Sequence, residues 1–319
     1  MMAKYRTRLP QLRSEVFLTD GGIETTLIFA EGLELPFFAA FHLLKDQTGT
    51  EALRRYYRRH AAIARDNGVG FILESATWRA SADWGAKLGY APDALADANA
   101  KAIALMHEMR EQFETPRSPM VISGCIGPRR DGYRPDTIMT PDEAQAYHAA
   151  QIRVFAERDA DLATAITMTN TNEAIGVTRA AAELDLPVVI SFTVETDGRL
   201  PTGQRLGEAI EAVDAATAKP PAYYMINCAH PTHFLSELSP AASWIARVRG
   251  LRANASRRSH AELDEATTLD DGNPVELGQQ YRELRSRFAH INVLGGCCGT
   301  DHRHIEQICA ATLQGPAIA

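Results

Sequence analysis

Eight short apolar runs, each followed by a longer amphipathic segment, constrain the fold of this chain more than any other feature. The runs fall at 16–20, 69–74, 120–123, 162–167, 187–193, 223–227, 246–252 and 291–294. Helical segments are expected at 51–67, 92–113, 173–184, 207–217, 232–238, 274–288 and 303–313. A further helix starts at Thr140, which can cap it. Pro141 suits the first helical position, Glu143 supplies early negative charge, and the helix runs to about 159. Repeated strand-then-helix order predicts a parallel sheet covered by helices. Val188-Val189-Ile190 is apolar without alternation, as in strands buried on both faces.

Eight such units are the number that closes a barrel, and 319 residues is an ordinary length for one. An open doubly wound sheet is the alternative. It is disfavoured because Gly21-Gly22-Ile23-Glu24, after the first run, lacks the G-x-G-x-x-G phosphate spacing. The expectation is one α/β domain over 1–319, a (β/α)8 barrel with its core at about 16–313. Residues 124–136 and 253–273 are expected as loops. A net charge of −7 gives no sign of a nucleic-acid partner or an anionic membrane surface. No apolar run approaches the roughly 18 residues needed to span a bilayer. The polar, basic start has no secretory core segment, so a cytoplasmic location is expected. Five scattered cysteines then read as free thiols or ligands rather than a disulfide framework.

Chemistry in such barrels lies at the carboxyl ends of the strands. Here those ends carry Asp20, Glu74, Cys125, Thr167, Glu195, Cys228, Asn254 and the vicinal pair Cys297-Cys298. Strands six and eight are close enough at the rim for Cys228, Cys297 and Cys298 to share a soft metal ion. Zinc suits three thiolates, and catalytic zinc sites keep a fourth position open. His230, His302 or His304 could close such a site, although the last two read as a solvated helix start and His230 as a loop residue. The vicinal pair also admits two other readings, plain buried small residues or a redox disulfide. Cys125 and Cys309 read as structural.

Asp20-Gly21-Gly22, Asn227-Cys228 and Gly295-Gly296-Cys297-Cys298-Gly299-Thr300, in that order, resemble the homocysteine S-methyltransferase family. Ser191-Phe192 with Asp197-Gly198-Arg199-Leu200 supports the likeness, which runs from about Val16 to Leu313. The resemblance implies a TIM barrel with zinc (Zn2+) held by Cys228, Cys297 and Cys298. It also implies that Asp20 and Gly21 help hold an amino-acid substrate whose polar end meets amides near Gly295 and Gly296. Glu74, Thr167 and Asn227 complete the candidate substrate contacts. Two places depart: Arg252-Ala253-Asn254-Ala255-Ser256 differs from the family's usual strand-seven ending, and Ile166 stands where the family carries the glutamate that helps bind the substrate ammonium. Either Glu74 or Asp20 takes over, or the acceptor is a different small thiol.

The expected activity is methyl transfer from a small sulfonium or methylammonium donor to a thiol, homocysteine giving methionine. A non-catalytic zinc- or thiol-binding protein is the alternative. Aromatic faces suit a cationic donor. Trp78, Tyr133, Phe37 and Phe38 are candidates, with Glu24 near the cation. The partners are thus two small molecules, with an oligomer possible; the donor itself is left open.

Overall fold

The computed structural model describes residues 3–133 and 137–314. Eight parallel strands, β1 (Phe17–Leu18), β2 (Gly70–Glu74), β3 (Met120–Ile126), β4 (Leu162–Met168), β5 (Val188–Thr193), β6 (Tyr223–Asn227), β7 (Val248–Ala253) and β8 (Val293–Gly296), pair in chain order and close into a barrel. The expected (β/α)8 architecture is what the chain adopts. Closure passes through β1, where Phe17 is in register with Gly70 on one side and Val293 on the other.

The helices following the strands are α1 (Gln47–Asn67), α2 (Pro92–Phe113), α3 (Pro141–Glu157), α4 (Thr171–Glu183), α5 (Leu206–Ala216), α6 (Pro231–Phe234), α7 (Pro274–Arg287) and α8 (His302–Leu313). Local chemistry sets their ends. Asp46 caps α1 by accepting from the Gly49 amide, and Gly68 stops it with φ +65°. Thr140 and Glu143 form a reciprocal capping box at the start of α3.

Two apolar regions hold the barrel. The larger lies between sheet and helices and includes Phe71, Leu73, Phe155 and Ile190. The smaller fills the amino-terminal end of the interior with Phe17, Ile72, Val121, Leu162, Val189, Tyr223, Met225 and Val293, packed with Leu9. Alternation along β2 puts Ile72 in the inner cluster and Phe71 and Leu73 in the outer one. Glu74 therefore shares the inward face with Ile72. By the same rule Arg252, next to outward Leu251, points into the barrel.

Three boundaries differ from the sequence expectation. β1 has only two residues, so Thr19 and Asp20 lie beyond it. β3 runs on to Ile126 and absorbs the start of the loop expected at 124–136. The end of that loop, Arg134 to Asp136, lies outside the described residues, as do Met1, Met2 and 315–319. The long segment 253–273 contains a short helix, His260–Asp264, capped by Ser259 and Glu262.

A Cβ on Gly70 would sit 2.2 Å from the ring of Phe17, which is itself fully buried in the inner cluster. Gly70→Ala should therefore cost about 1–3 kcal/mol by overpacking. Adding Phe17→Leu should recover part of that loss. Urea denaturation midpoints of the two variants test this, and an unchanged midpoint for Gly70→Ala would refute it.

Candidate metal centre and substrate pocket

Cys228 follows the last residue of β6, and Cys297 and Cys298 follow β8. Cys228 takes left-handed backbone, φ +53°, uncommon for a residue with a Cβ. Its amide donates to the Arg252 carbonyl, and its own carbonyl accepts from Asn254 Nδ2 (3.0 Å) and His260 Nε2. The Cys297 amide donates to the Ala253 carbonyl at 2.8 Å. β7 thus fixes both cysteine-bearing strand ends. The three sulfurs lie within 4.8 Å of one another, with Cys228 Sγ and Cys298 Sγ 4.0 Å apart. Cys228 and Cys297 are in disulfide contact. That pairing differs from the vicinal disulfide considered from sequence. Cys125 and Cys309 are buried free thiols.

The donor set fits a zinc ion. Zn–S bonds of about 2.3 Å in a tetrahedron place sulfurs roughly 3.8 Å apart, close to the Cys228–Cys298 separation. Cys228 and Cys297 must be reduced to join such a set, because the thiolate is the metal ligand. None of the histidines considered from sequence joins the group. His230 caps α6 through Nδ1, as a loop residue would. His304 is fully buried, not solvated, with Nδ1 near Asp301 Oδ1 (3.1 Å) and Nε2 on the Asp271 carbonyl (2.8 Å). His302 is half-buried.

The sulfurs line a cavity of about 320 Å³ at the carboxyl ends of the strands. Asp20, Gly21, Glu24, Glu74, Trp78, Tyr133, Ile166 and Thr167 also line it. Asn227, Gly295 and Gly296 are not among the residues that line it. Asn227 is a brace. Its Oδ1 accepts from the Thr167 amide (3.0 Å) and Ser191 Oγ (2.6 Å), while Nδ2 reaches Thr167 Oγ1 (2.9 Å) and lies 3.9 Å from Cys297 Sγ. The glycines serve backbone approach. A Cβ on Gly295 would fall 1.8 Å from Thr19 Oγ1, and one on Gly296 2.0 Å from Thr300 Oγ1. The Gly296 amide already donates to the Asp20 carbonyl at 3.0 Å.

Asp20 is also engaged. Its Oδ1 accepts from Arg252 Nη2 at 2.6 Å, and its Oδ2 from the Tyr56 hydroxyl at 3.0 Å, all three residues being buried. Arg252 further donates from Nε to the Gly296 carbonyl and from Nη2 to the Gly21 carbonyl. Sequence reasoning met this arginine only as part of the departing segment Arg252 to Ser256 and gave it no role. Its one signal was a charged residue at an inward position of a strand run. Burial pushes the carboxyl of Glu74 up to about 7, against the opposing pull of Arg252. Burial likewise pushes Glu24 up to about 7, and lifts the Cys125 thiol well above its ordinary value.

Of the donor-side aromatics, Tyr133 lies beside the sulfurs. Its hydroxyl lies 3.8 Å from Cys298 Sγ, and its ring packs on His260 with centroids 4.0 Å apart. Trp78 lines the cavity, but the Arg79 guanidinium lies over its ring at 3.9 Å and over Trp84 at 3.8 Å. A cation from the chain itself thus occupies a ring face expected to meet the donor. Phe38 lines the cavity and is about half exposed; Phe37 packs near Trp84 instead, with centroids 6.1 Å apart.

The fold has known counterparts. The chain resembles the homocysteine methyltransferase MmuM from Escherichia coli in its metallated form, with TM-score 0.74, 18% identity, and 96% and 99% of the two chains covered. The oxidized form of that protein gives the same values. In sequence, the chain is 24% identical to methionine synthase from Mycobacterium leprae (strain TN) over 334 residues. That match covers 95% of this chain but only a quarter of the length of that relative. The family model described as homocysteine S-methyltransferase matches residues 17–312. The chain belongs to the homocysteine S-methyltransferase family.

Proposed function

We propose that this protein is a zinc-dependent S-methyltransferase that moves a methyl group from a small sulfonium or methylammonium donor to homocysteine, giving methionine. The observation that carries the reading is the convergence of Cys228, Cys297 and Cys298 within 4.8 Å on the wall of a small-molecule cavity. Family membership supplies the reaction class. The barrel is read as one domain, with Cys228, Cys297 and Cys298 as the metal ligands.

A free thiol is mostly protonated near neutral pH. Zinc, when bound by the three thiolates, supplies the charge that holds an acceptor sulfur deprotonated. The residues of the chain do the rest. Asn227 and Thr167 buttress the sulfurs, with Asn227 Nδ2 3.9 Å from Cys297 Sγ and Thr167 Oγ1 4.0 Å from Cys228 Sγ. Displacement at an onium methyl releases a neutral thioether or amine, so no general acid is required. What is required is alignment of nucleophile, methyl and leaving atom. Tyr133, held on His260 beside Cys298, is placed to face the donor cation. Glu24 adds negative charge at the same cavity once ionised.

Ile166 on the cavity wall favours a second reading, in which the same site methylates a different small thiol. A cytoplasmic setting fits both readings. None of the described helices is long and apolar enough to cross a membrane.

Two measurements test this proposal. Reduced protein loaded with zinc and desalted should retain about one equivalent, and Cys298→Ala should lose it; metal-free wild-type protein after reduction and loading would sink the ligand assignment. Incubation with homocysteine and a panel of sulfonium and methylammonium donors should yield methionine. Cys298→Ala should lower that rate at least about a hundredfold, equivalent to ~3 kcal/mol of barrier. No methionine from any donor would rule out the homocysteine reading, and methylation of another thiol would favour the second.

A further inference from the structure

The polar groups below the sulfurs are unevenly satisfied. Asp20, expected to meet an amino-acid ammonium, already accepts from Arg252 and Tyr56. Position 166 offers only an isoleucine side chain. Yet two strand residues that line the cavity each carry a buried atom without a hydrogen-bond partner, Glu74 Oε2 and Arg252 Nη1. Arg79 Nε is also without one, but Arg79 lies in the loop after β2, sandwiched between Trp78 and Trp84. Glu74 and Arg252 instead point inward from β2 and β7 and flank Asp20, which follows β1.

Buried polar groups carry a large desolvation cost unless something pairs with them. Here the two orphan atoms have opposite character, an acceptor on a carboxylate and a donor on a guanidinium. One ligand satisfies both if it carries an ammonium and a carboxylate on the same carbon, which is the head group of an α-amino acid. Arg252 has the geometry for this double duty. Its Nε and Nη2 are tied to Gly296, Asp20 and Gly21, which fixes the guanidinium plane and leaves Nη1 for a ligand oxygen.

We propose that Glu74 and Arg252 form the head-group clamp of the acceptor site, Glu74 receiving the α-ammonium and Arg252 Nη1 the α-carboxylate. Asp20 then holds Arg252 in place and makes no direct contact with the acceptor. The clamp rests on the proposed activity and names the acceptor class, a zwitterionic amino-acid thiol. It takes over the task that a carboxylate at position 166 would otherwise perform.

Calorimetric titration of zinc-loaded protein with three thiols tests the clamp: homocysteine, 4-mercaptobutanoate (which lacks the ammonium) and 3-mercaptopropylamine (which lacks the carboxylate). Wild-type protein should bind homocysteine at least about tenfold more tightly than either analogue, because a site built for a polar group rejects ligands that leave it unpaired. Glu74→Gln should weaken homocysteine and 3-mercaptopropylamine about tenfold or more and leave 4-mercaptobutanoate within about twofold. Arg252→Gln should weaken homocysteine and 4-mercaptobutanoate and spare 3-mercaptopropylamine. Because Arg252→Gln strands Asp20 in the interior, the neutralised double variant Asp20→Asn/Arg252→Gln provides the same reading if the single variant does not fold. Equal binding of 4-mercaptobutanoate and homocysteine by wild-type protein would overturn the clamp, as would a uniform loss across all three thiols in Glu74→Gln. Methionine formation with flat thiol selectivity overturns the clamp and keeps the activity. Clamp selectivity without methyl transfer does the reverse.

Discussion

Ring closure through β1 is the constraint on which everything else rests. Two residues, Phe17 and Leu18, link β2 to β8, and only through that link do the ends of β6, β7 and β8 face the ends of β1 and β2. The cysteines are 69 residues apart in the chain, yet each takes its backbone position from the same neighbour. Arg252 and Ala253 of β7 accept from the amides of Cys228 and Cys297. A metal set assembled this way is a property of the sheet. Its geometry is set before any ion arrives, by ladder register and by one left-handed residue at position 228.

Much of this was legible in the sequence, and the reasons are physical. Strands buried on both faces are written as unbroken apolar runs, so β2 to β6 could be placed within a few residues. The thiols were legible because cysteine in a glycine-rich strand end has few structural uses. β1 was harder to bound. Past Leu18 the chain bonds to β8 and the Thr300 loop, for which the local sequence holds no signal. His304 was misread because its partners, Asp301 and the Asp271 carbonyl, are supplied partly by a loop more than thirty residues away.

Arg252 shows the limit of reading one strand at a time. With two arginines, the run Val248-Arg249-Gly250-Leu251-Arg252 reads as a weakened strand. The meaning of Arg252 appears only when Asp20, 232 residues away, is found 2.6 Å from its Nη2. The same holds for Trp78. A tryptophan near a suspected cation site invites a donor role, and only the fold reveals that Arg79 already lies over its ring.

The glycines at 21, 22, 295 and 296 divide the rim of the barrel into two kinds of ground. At these positions a single added carbon would meet backbone or a threonine hydroxyl at 2.8 Å or less. These four glycine positions are therefore closed to side chains. Side chains reach the cavity from other strand ends, among them those of β2, β4 and β7. Those are the places where this sequence sets Glu74, Ile166 and Arg252 around a fixed sulfur centre. Position 252 belongs to both kinds of ground, since its carbonyl fixes the Cys228 amide and its side chain ties Asp20 to Gly296, whereas Glu74 and Ile166 stand on strands that carry none of the three clustered sulfurs.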